Sequence, residues 1–208
     1  MTQSATRERI LSAAAKLFYS EGIRAVSVDA VARKAGVTKR TLYYHFRSKD
    51  DLIAAYLEAR DQPNLTLFQD WFAQADGDTA DKIRAIFSRL TESLRHPKWR
   101  GCGFLRTSAE LINMPGHPAL LASRVHKKRV ETWLADVLAQ DGLARRSAEL
   151  ARQIVLLLDG AFADGLLHRD ASYMEAAGNA AHTLIRQAAI ISGKPKGRQA
   201  LARPRAIR

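Results

Sequence analysis

Apolar residues recur at the three- and four-residue spacing of α-helices along most of the chain, and strict apolar-polar alternation is nearly absent. Between about residues 6 and 20, Ile10, Ala14 and Phe18 share one face, and Gly22 ends the pattern. The same spacing predicts later helices between the turn at 76–78 and Pro97, and at about 104–112, 118–140, 147–167 and 172–191. The pattern therefore predicts an all-α fold.

Two short helices are predicted within residues 28–45. Ser27 is a suitable N-cap for the first, and Gly36 interrupts the helical pattern after it. Thr38 is a suitable N-cap for the second, in which Leu42 and Phe46 lie four residues apart on one packing face. Two short helices joined by a glycine-containing turn form a helix-turn-helix, whose second helix enters the DNA major groove.

Another helix is expected to begin after Ser48, since Ser48 and Asp51 have the spacing of a capping box. Pro63 is expected to end or kink this helix. Apolar residues then continue a helical face to about residue 74. A capping box is also expected at Ser172 and Glu175, where the last helix begins.

The charge of the chain is unevenly distributed around a total of +12. Residues 1–60 hold 11 Lys and Arg against 6 Asp and Glu, a net +5, whereas residues 61–192 hold 16 against 15, a net +1. Residues 193–208 hold 6 basic residues and no acidic one. Positive charge near the helix-turn-helix suits binding to phosphate. The proline- and glycine-containing tail is expected to be disordered.

Residues 7–53 resemble the DNA-binding domain of the TetR (tetracycline-repressor) family. The matching residues are Ile10, Ala14, Leu17, Phe18, Gly22, Ser27, Val31, Ala32, Ala35, Gly36, Val37, Leu42, Tyr43, Tyr44, His45, Phe46, Lys49 and Leu52. The resemblance implies a homodimer without catalytic activity or cofactor. The expected domains are a DNA-binding domain over 1–48 and a helical ligand-binding and dimerisation domain over 49–192, followed by the basic tail over 193–208.

The function expected from these features is sequence-specific transcription regulation. The protein would be a repressor that a small-molecule effector of unknown identity releases from a palindromic operator in double-stranded DNA. The alternative is a nucleoid-type protein that coats DNA of any sequence, since the basic tail would suit such binding. The tail would add non-specific affinity without choosing the operator.

Candidate DNA contacts cluster at the start and along the exposed face of the second helix. Thr38 can donate to phosphate at the positive helix end, while Lys39, Arg40 and Thr41 can reach base edges. The remaining candidates are Ser27, Val28, Tyr43, Tyr44, His45 and Lys49, of which the last four are expected to bind phosphate. Alternatively, one of the two tyrosines packs inward.

Candidate walls of an effector pocket come from four predicted helices in the middle of the chain. They are Phe87, Phe104, Ser108, Leu111, Trp133, Leu157 and Phe162, and for each of them ordinary core is the favoured alternative. Asp159 interrupts a strongly apolar run, and a buried carboxylate needs a partner. That partner would be a ligand or a basic side chain across a dimer interface.

The last two predicted helices are candidates for the dimer interface. Residues 154–158 are apolar around the whole helix, which suggests burial on one side by the monomer and on the other by a partner. A monomer could also cover this run with another helix. The small residues available for close helix packing are Gly160, Ala161, Ala163, Gly165, Ala176, Ala177, Gly178, Ala180 and Ala181.

Other protein classes have little support in the sequence. The six histidines show no paired metal-ligand spacing, and neither a phosphate-binding glycine loop nor a Gly-x-Ser-x-Gly elbow occurs. Cys102, between two glycines, is either an ordinary cysteine or an exposed oxidant sensor. No apolar run approaches 18 residues and the N-terminus lacks a signal-peptide core, so a soluble cytoplasmic protein without a membrane partner is expected.

Overall fold

A computed structural model describes residues 3–192, and within them the fold is all-α, as predicted. The helices are α1 (Gln3–Glu21), α2 (Val28–Ala35), α3 (Lys39–His45), α4 (Lys49–Gln74), α5 (Thr79–Leu94), α6 (Gly103–Glu110), α7 (Pro118–Leu138), α8 (Ser147–His168) and α9 (Ser172–Ile191). A π-helical turn, Ala139–Leu143, follows α7. None of the helices in this described part is long and apolar enough to cross a membrane. The tail predicted at 193–208 lies outside the described residues.

Most helix starts are set by side-chain caps. The hydroxyls of Ser27, Thr38 and Ser48 accept hydrogen bonds from backbone N–H groups three residues later, at 3.0–3.1 Å. These three caps confirm the predicted starts of α2, α3 and α4. The capping box predicted at Ser172 was wrong, because Asp170 instead accepts from the Ser172 N–H at 2.8 Å.

α4 continues through Pro63 to Gln74, so the prediction that the proline could end this helix was wrong. Proline removes one backbone hydrogen bond and costs about 3 kcal/mol inside a helix. Pro63 itself is exposed, whereas Leu65 and Phe68 on the following turns are buried. Burial of these apolar side chains offsets the lost hydrogen bond and keeps the helix intact.

Two hydrophobic cores meet along α4. The first core joins α1–α3 and the start of α4 to α6 and the start of α7, and it includes Phe18, Leu42 and Phe104. The second core lies among the end of α4, α5, α7, α8 and α9, and it includes Phe87 and Leu134. The packing of the N-terminal helices therefore extends into α6 and α7.

Two buried glycines allow α8 and α9 to approach α5 closely. A Cβ atom at Gly165 would lie 2.6 Å from Leu94 Cδ1, and a Cβ atom at Gly178 would lie 2.7 Å from Phe87 Cβ. Such distances are shorter than van der Waals contact. These two small residues therefore serve packing within one chain.

Gly178→Ala should lower the free energy of unfolding by about 1–3 kcal/mol, because Phe87 Cβ is close to its own backbone and cannot move aside cheaply. This loss should exceed the gain of about 1 kcal/mol that alanine brings to a helix. Thermal and denaturant unfolding would measure the change. Gly116→Ala is the control, since its added Cβ would have no atom within 4 Å, and its stability should stay equal or rise slightly. Equal stabilities of the two variants would contradict this account of the packing.

Candidate DNA-binding surface and effector cavity

The turn between α2 and α3 fixes the angle of the second helix. Gly36 adopts a left-handed conformation with φ of 63°, which glycine tolerates without strain. The N–H groups of Gly36 and Val37 donate to the carbonyls of Arg33 and Ala32 at 3.1 and 3.0 Å. Leu42 is completely buried beneath α3, so the opposite face of this helix is presented to solvent.

The residues at the start of α3 are organised by local contacts. Thr38 Oγ1 accepts from the Thr41 N–H at 3.1 Å and lies 2.8 Å from Thr41 Oγ1. Lys39 Nζ forms a half-exposed ion pair with Asp29 Oδ2 at 3.1 Å, which joins α3 to α2. Arg40 is exposed. Lys39, Arg40 and Thr41, which are predicted to read bases, thus lie together at the start of α3.

Aromatic and basic side chains continue this surface along α3. Tyr43 is 42% exposed and Tyr44 is 71% exposed, so neither tyrosine packs inward. His45 is half-buried, and its ring meets that of Tyr44 edge to face at 5.2 Å. Arg47, two residues after the end of α3, is exposed and is not among the predicted contacts.

The other predicted DNA contacts are less exposed or already engaged. Ser27 is exposed while its hydroxyl caps α2, and Val28 packs partly against the first core. Lys49 is half-buried. Its burial lowers the pKa of the Lys49 ammonium, although the carboxylates of Asp50 and Glu110 act in the opposite direction.

The end of α1 is held by α6 and the loop before it. Glu110 accepts hydrogen bonds from the Ile23 and Arg24 N–H groups at 3.3 and 3.0 Å. Arg106 Nη1 donates to the Tyr19 carbonyl at 2.9 Å, and the Arg100 N–H donates to the Tyr19 hydroxyl at 2.9 Å. The segment that leads from α1 into the helix-turn-helix is thus tied to the body of the protein by direct hydrogen bonds.

A cavity of about 170 Å³ lies next to this contact. Its wall is mainly aromatic and aliphatic, with Tyr19 from α1 on one side and Phe162 from α8 on another. The complete lining is Tyr19, Arg60, Asn64, Leu67, Phe68, Trp71, Leu90, Ser93, Trp99, Gly101, Cys102, Gly103, His126, Lys127, Val130, Val155, Leu158 and Phe162. An apolar wall with a few polar groups is typical of small-molecule sites.

Polar groups at the cavity are mostly paired. His126 Nδ1 lies 2.9 Å from Asp61 Oδ1, and Asp61 also accepts from Arg129. Burial lowers the pKa of the His126 imidazole, against the opposing effect of the Asp61 hydrogen bond. Lys127 is paired with Asp159. Within residues 3–192, no cluster of three or more His, Cys, Asp or Glu side chains is placed to bind a metal ion.

Of the eight residues predicted to line a pocket, only Phe162 lines this cavity. Phe104 and Leu111 are buried in the first core, and Phe104 stacks on His126 at 3.8 Å. Phe87, Ser108, Leu157 and Asp159 also lie outside this lining, and Trp133 lines an open groove elsewhere.

Several of these residues have packing or ion-pair partners elsewhere. Phe87 packs against Gly178, and Trp133 packs edge to face on Phe72 at 5.8 Å, beside an open groove between α4 and α7. Asp159 has its basic partner, Lys127, in the same chain. Helical periodicity indicates which face is buried, but it does not indicate which side chains border an internal space.

Arg60 and Tyr19 are the main cavity residues that the prediction missed. Both occur in segments whose periodicity indicates only a helix. Tyr19 lies within residues 1–48, where DNA contacts and no pocket residues were predicted. The hydrogen bond from the Arg100 N–H to Tyr19 joins positions 81 residues apart. No local signal in the sequence would have revealed this contact.

Comparison with known proteins agrees with this architecture. The model of bacterial regulatory proteins of the tetR family matches residues 10–56. The regulator AcrR of Shigella flexneri is 33% identical over 88 residues, which are 42% of this chain and 41% of AcrR. The chain spans 27–43% of the length of several curated regulators that it matches.

Solved structures extend the similarity to the whole described fold. A TetR-family transcriptional regulator from Streptomyces coelicolor is 32% identical, with a TM-score of 0.73, and the match covers 89% of this chain and 96% of that one. A putative TetR transcriptional regulator from Streptomyces avermitilis is 30% identical, with a TM-score of 0.69, and the match covers 85% and 97% of the two chains. The chain therefore belongs to the TetR family of helix-turn-helix transcriptional regulators.

Proposed function

We propose that this TetR-family regulator is a homodimeric repressor that a small-molecule effector releases from a palindromic operator. This proposal is supported by Tyr19 of α1, the first helix of the DNA-binding part, which forms one wall of the apolar cavity. Residues 1–48 would bind DNA, and residues 49–192 would bind the effector and the partner chain. A cavity bordered by the DNA-binding part itself gives an effector direct contact with it.

Binding to the operator would divide between base-reading and phosphate-binding residues. The exposed Arg40 at the start of α3 can make paired hydrogen bonds to guanine, with Lys39 and Thr41 beside it. To bind DNA, Lys39 must give up its ion pair with Asp29. If the pair remains, it holds α3 against α2. Tyr43, Tyr44, His45 and Lys49, together with the exposed Arg47, would bind phosphates, which position the protein without selecting sequence.

An exposed apolar stripe on α8 supports the proposed dimer. Leu156 is 65% exposed and Leu167 is 75% exposed, and the small residues Gly160 and Ala163 lie between them on the same face. On α9, Ala176 and Ile191 are also exposed. Such a face costs free energy in water, and small residues allow a second helix pair to approach closely. A two-fold dimer would place two α3 helices for half-sites about 34–36 Å apart, or multiples of that spacing.

Two other functions compete with this proposal. One is DNA coating without sequence preference, and the other is catalysis. The relatives named above are transcriptional regulators, and family membership points to a regulator in preference to an enzyme. Footprinting separates the two modes of DNA binding, because a regulator protects a short palindrome whereas a coating protein protects DNA uniformly.

Arg40→Ala should relax sequence choice at one operator position, with discrimination falling by about 1–3 kcal/mol. Lys49→Ala should weaken binding to all sequences alike and reduce the slope of log affinity against log salt by about one. Titrations with operator and scrambled DNA at several salt concentrations would measure both effects. Arg145→Ala, an exposed arginine in the turn before α8, is the control and should change neither. Equal loss of specificity in the Arg40 and Lys49 variants would refute the assignment.

Leu156→Glu should convert the dimer into a monomer, because it places a charge within the exposed stripe. The fold of each chain should survive, since Leu156 is largely exposed within one chain. Analytical ultracentrifugation at micromolar concentration, with circular dichroism to verify folding, would test this. Leu121→Glu, at another exposed leucine on α7, should leave the dimer intact. A wild-type protein that sediments as a monomer would overturn the proposed symmetry.

A further inference from the structure

Arg60 lines the cavity and forms no ion pair with a carboxylate of residues 3–192. Its Nε atom is buried, and no atom of the described residues accepts a hydrogen bond from it. Its guanidinium carbon lies 5.3 Å from the centre of the Tyr19 ring and 5.8 Å from that of Tyr56. Contact with the aromatic rings stabilises the charge of the guanidinium. It leaves the in-plane N–H edge available for hydrogen bonds, and this edge matches the geometry of a carboxylate.

The carboxylates that pair with side chains of the cavity wall have their own basic partners. Asp61, which follows Arg60 in α4, is bound by His126 and Arg129. Asp159 is bound by Lys127. No Asp or Glu occurs among the described residues that line the cavity. The charge of Arg60 is therefore not neutralised by these carboxylates, and a partly buried cation without an anion is costly.

The rest of the cavity selects for an apolar molecule of limited size. Trp71, Trp99 and Phe162 contribute aromatic surface, and Trp99 and Phe162 stack at 6.2 Å with an angle of 17° between their planes. A cavity of about 170 Å³ suits a compact ligand. A molecule that combines a small ring or short branched chain with one anionic group would satisfy both the apolar wall and Arg60.

We propose that the effector is a small apolar carboxylate whose anionic group pairs with the N–H edge of Arg60. This inference rests on the proposed function, since it names the chemical class that the effector cavity accepts. Arg60 also contacts Tyr19, whose hydroxyl and carbonyl are hydrogen-bonded to Arg100 and Arg106. A carboxylate at Arg60 therefore binds beside the contact that holds the DNA-binding part to the body.

The test compares carboxylates with their uncharged amides on the full-length protein without DNA. Benzoate, phenylacetate and 4-phenylbutyrate are each titrated against the corresponding primary amide by calorimetry. At least one carboxylate should bind about 10- to 150-fold more tightly than its amide, the range for a charged hydrogen bond. Arg60→Gln should bring that ratio close to one. Arg89→Gln, an exposed arginine on α5, is the matched control and should keep the wild-type ratio.

A second measurement does not depend on the folding of the variant. In wild-type protein with ¹⁵N-labelled arginine, the Nε–H resonance of Arg60 should shift with the carboxylate and not with the amide. The inference is overturned if no carboxylate is preferred over its amide, if the preference survives in Arg60→Gln, or if the Arg60 resonance does not respond.

Operator binding distinguishes failure of this inference from failure of the proposed function. A carboxylate that binds at Arg60 but leaves operator affinity unchanged would support the ligand class and contradict effector-controlled release. An uncharged compound that fills the cavity and releases the operator, with no carboxylate binding there, would support release and contradict the ligand class.

Discussion

The hydrogen bonds that hold the end of α1 against α6 set the position of the DNA-binding part. Glu110 accepts from two successive N–H groups after the end of the helix, and Arg106 donates to the Tyr19 carbonyl just before it. Gly22 lies between the two hydrogen-bonded parts of the chain. Glycine is required there, because the φ of 87° is left-handed and a Cβ atom would lie 3.1 Å from Glu110 Oε1. A charged side chain that satisfies otherwise unpaired backbone donors makes a strong and directional link.

α4 links this contact to the cavity. Its first turns belong to the core of the DNA-binding part and its last turns to the core of the body. Tyr56 and Arg60 lie one turn apart in this helix, and Tyr56 and Phe18 of α1 meet edge to face at 5.6 Å. Burial raises the pKa of the Tyr56 hydroxyl, while Arg60 and Arg106 oppose that shift. A ligand beside Arg60 would therefore act on groups already packed against α1.

Local features of the fold were predictable from the sequence, whereas the cavity was not. Ser27, Thr38 and Ser48 cap helices through contacts three residues away, so their roles are visible in a short stretch of sequence. Pro63 was expected to end or kink α4, but the helix does not end there, because apolar side chains on the turns after it are buried. The ion-pair partner of Asp159 is Lys127, 32 residues away in the same chain, which the local sequence does not indicate. Phe104 was expected in the pocket but packs in the first core, since periodicity does not distinguish two cores that share helices.

The Glu110 contact holds the DNA-binding part in a fixed orientation on the body. Electron paramagnetic resonance distances between spin labels at Lys34→Cys in the two chains of the proposed dimer, in a Cys102→Ser background, test this orientation most directly. Adding Glu110→Ala should broaden or shift the distance distribution, because the Ile23 and Arg24 N–H groups lose their acceptor while α2 and α3 keep their caps. An identical distribution with and without Glu110 would contradict the account.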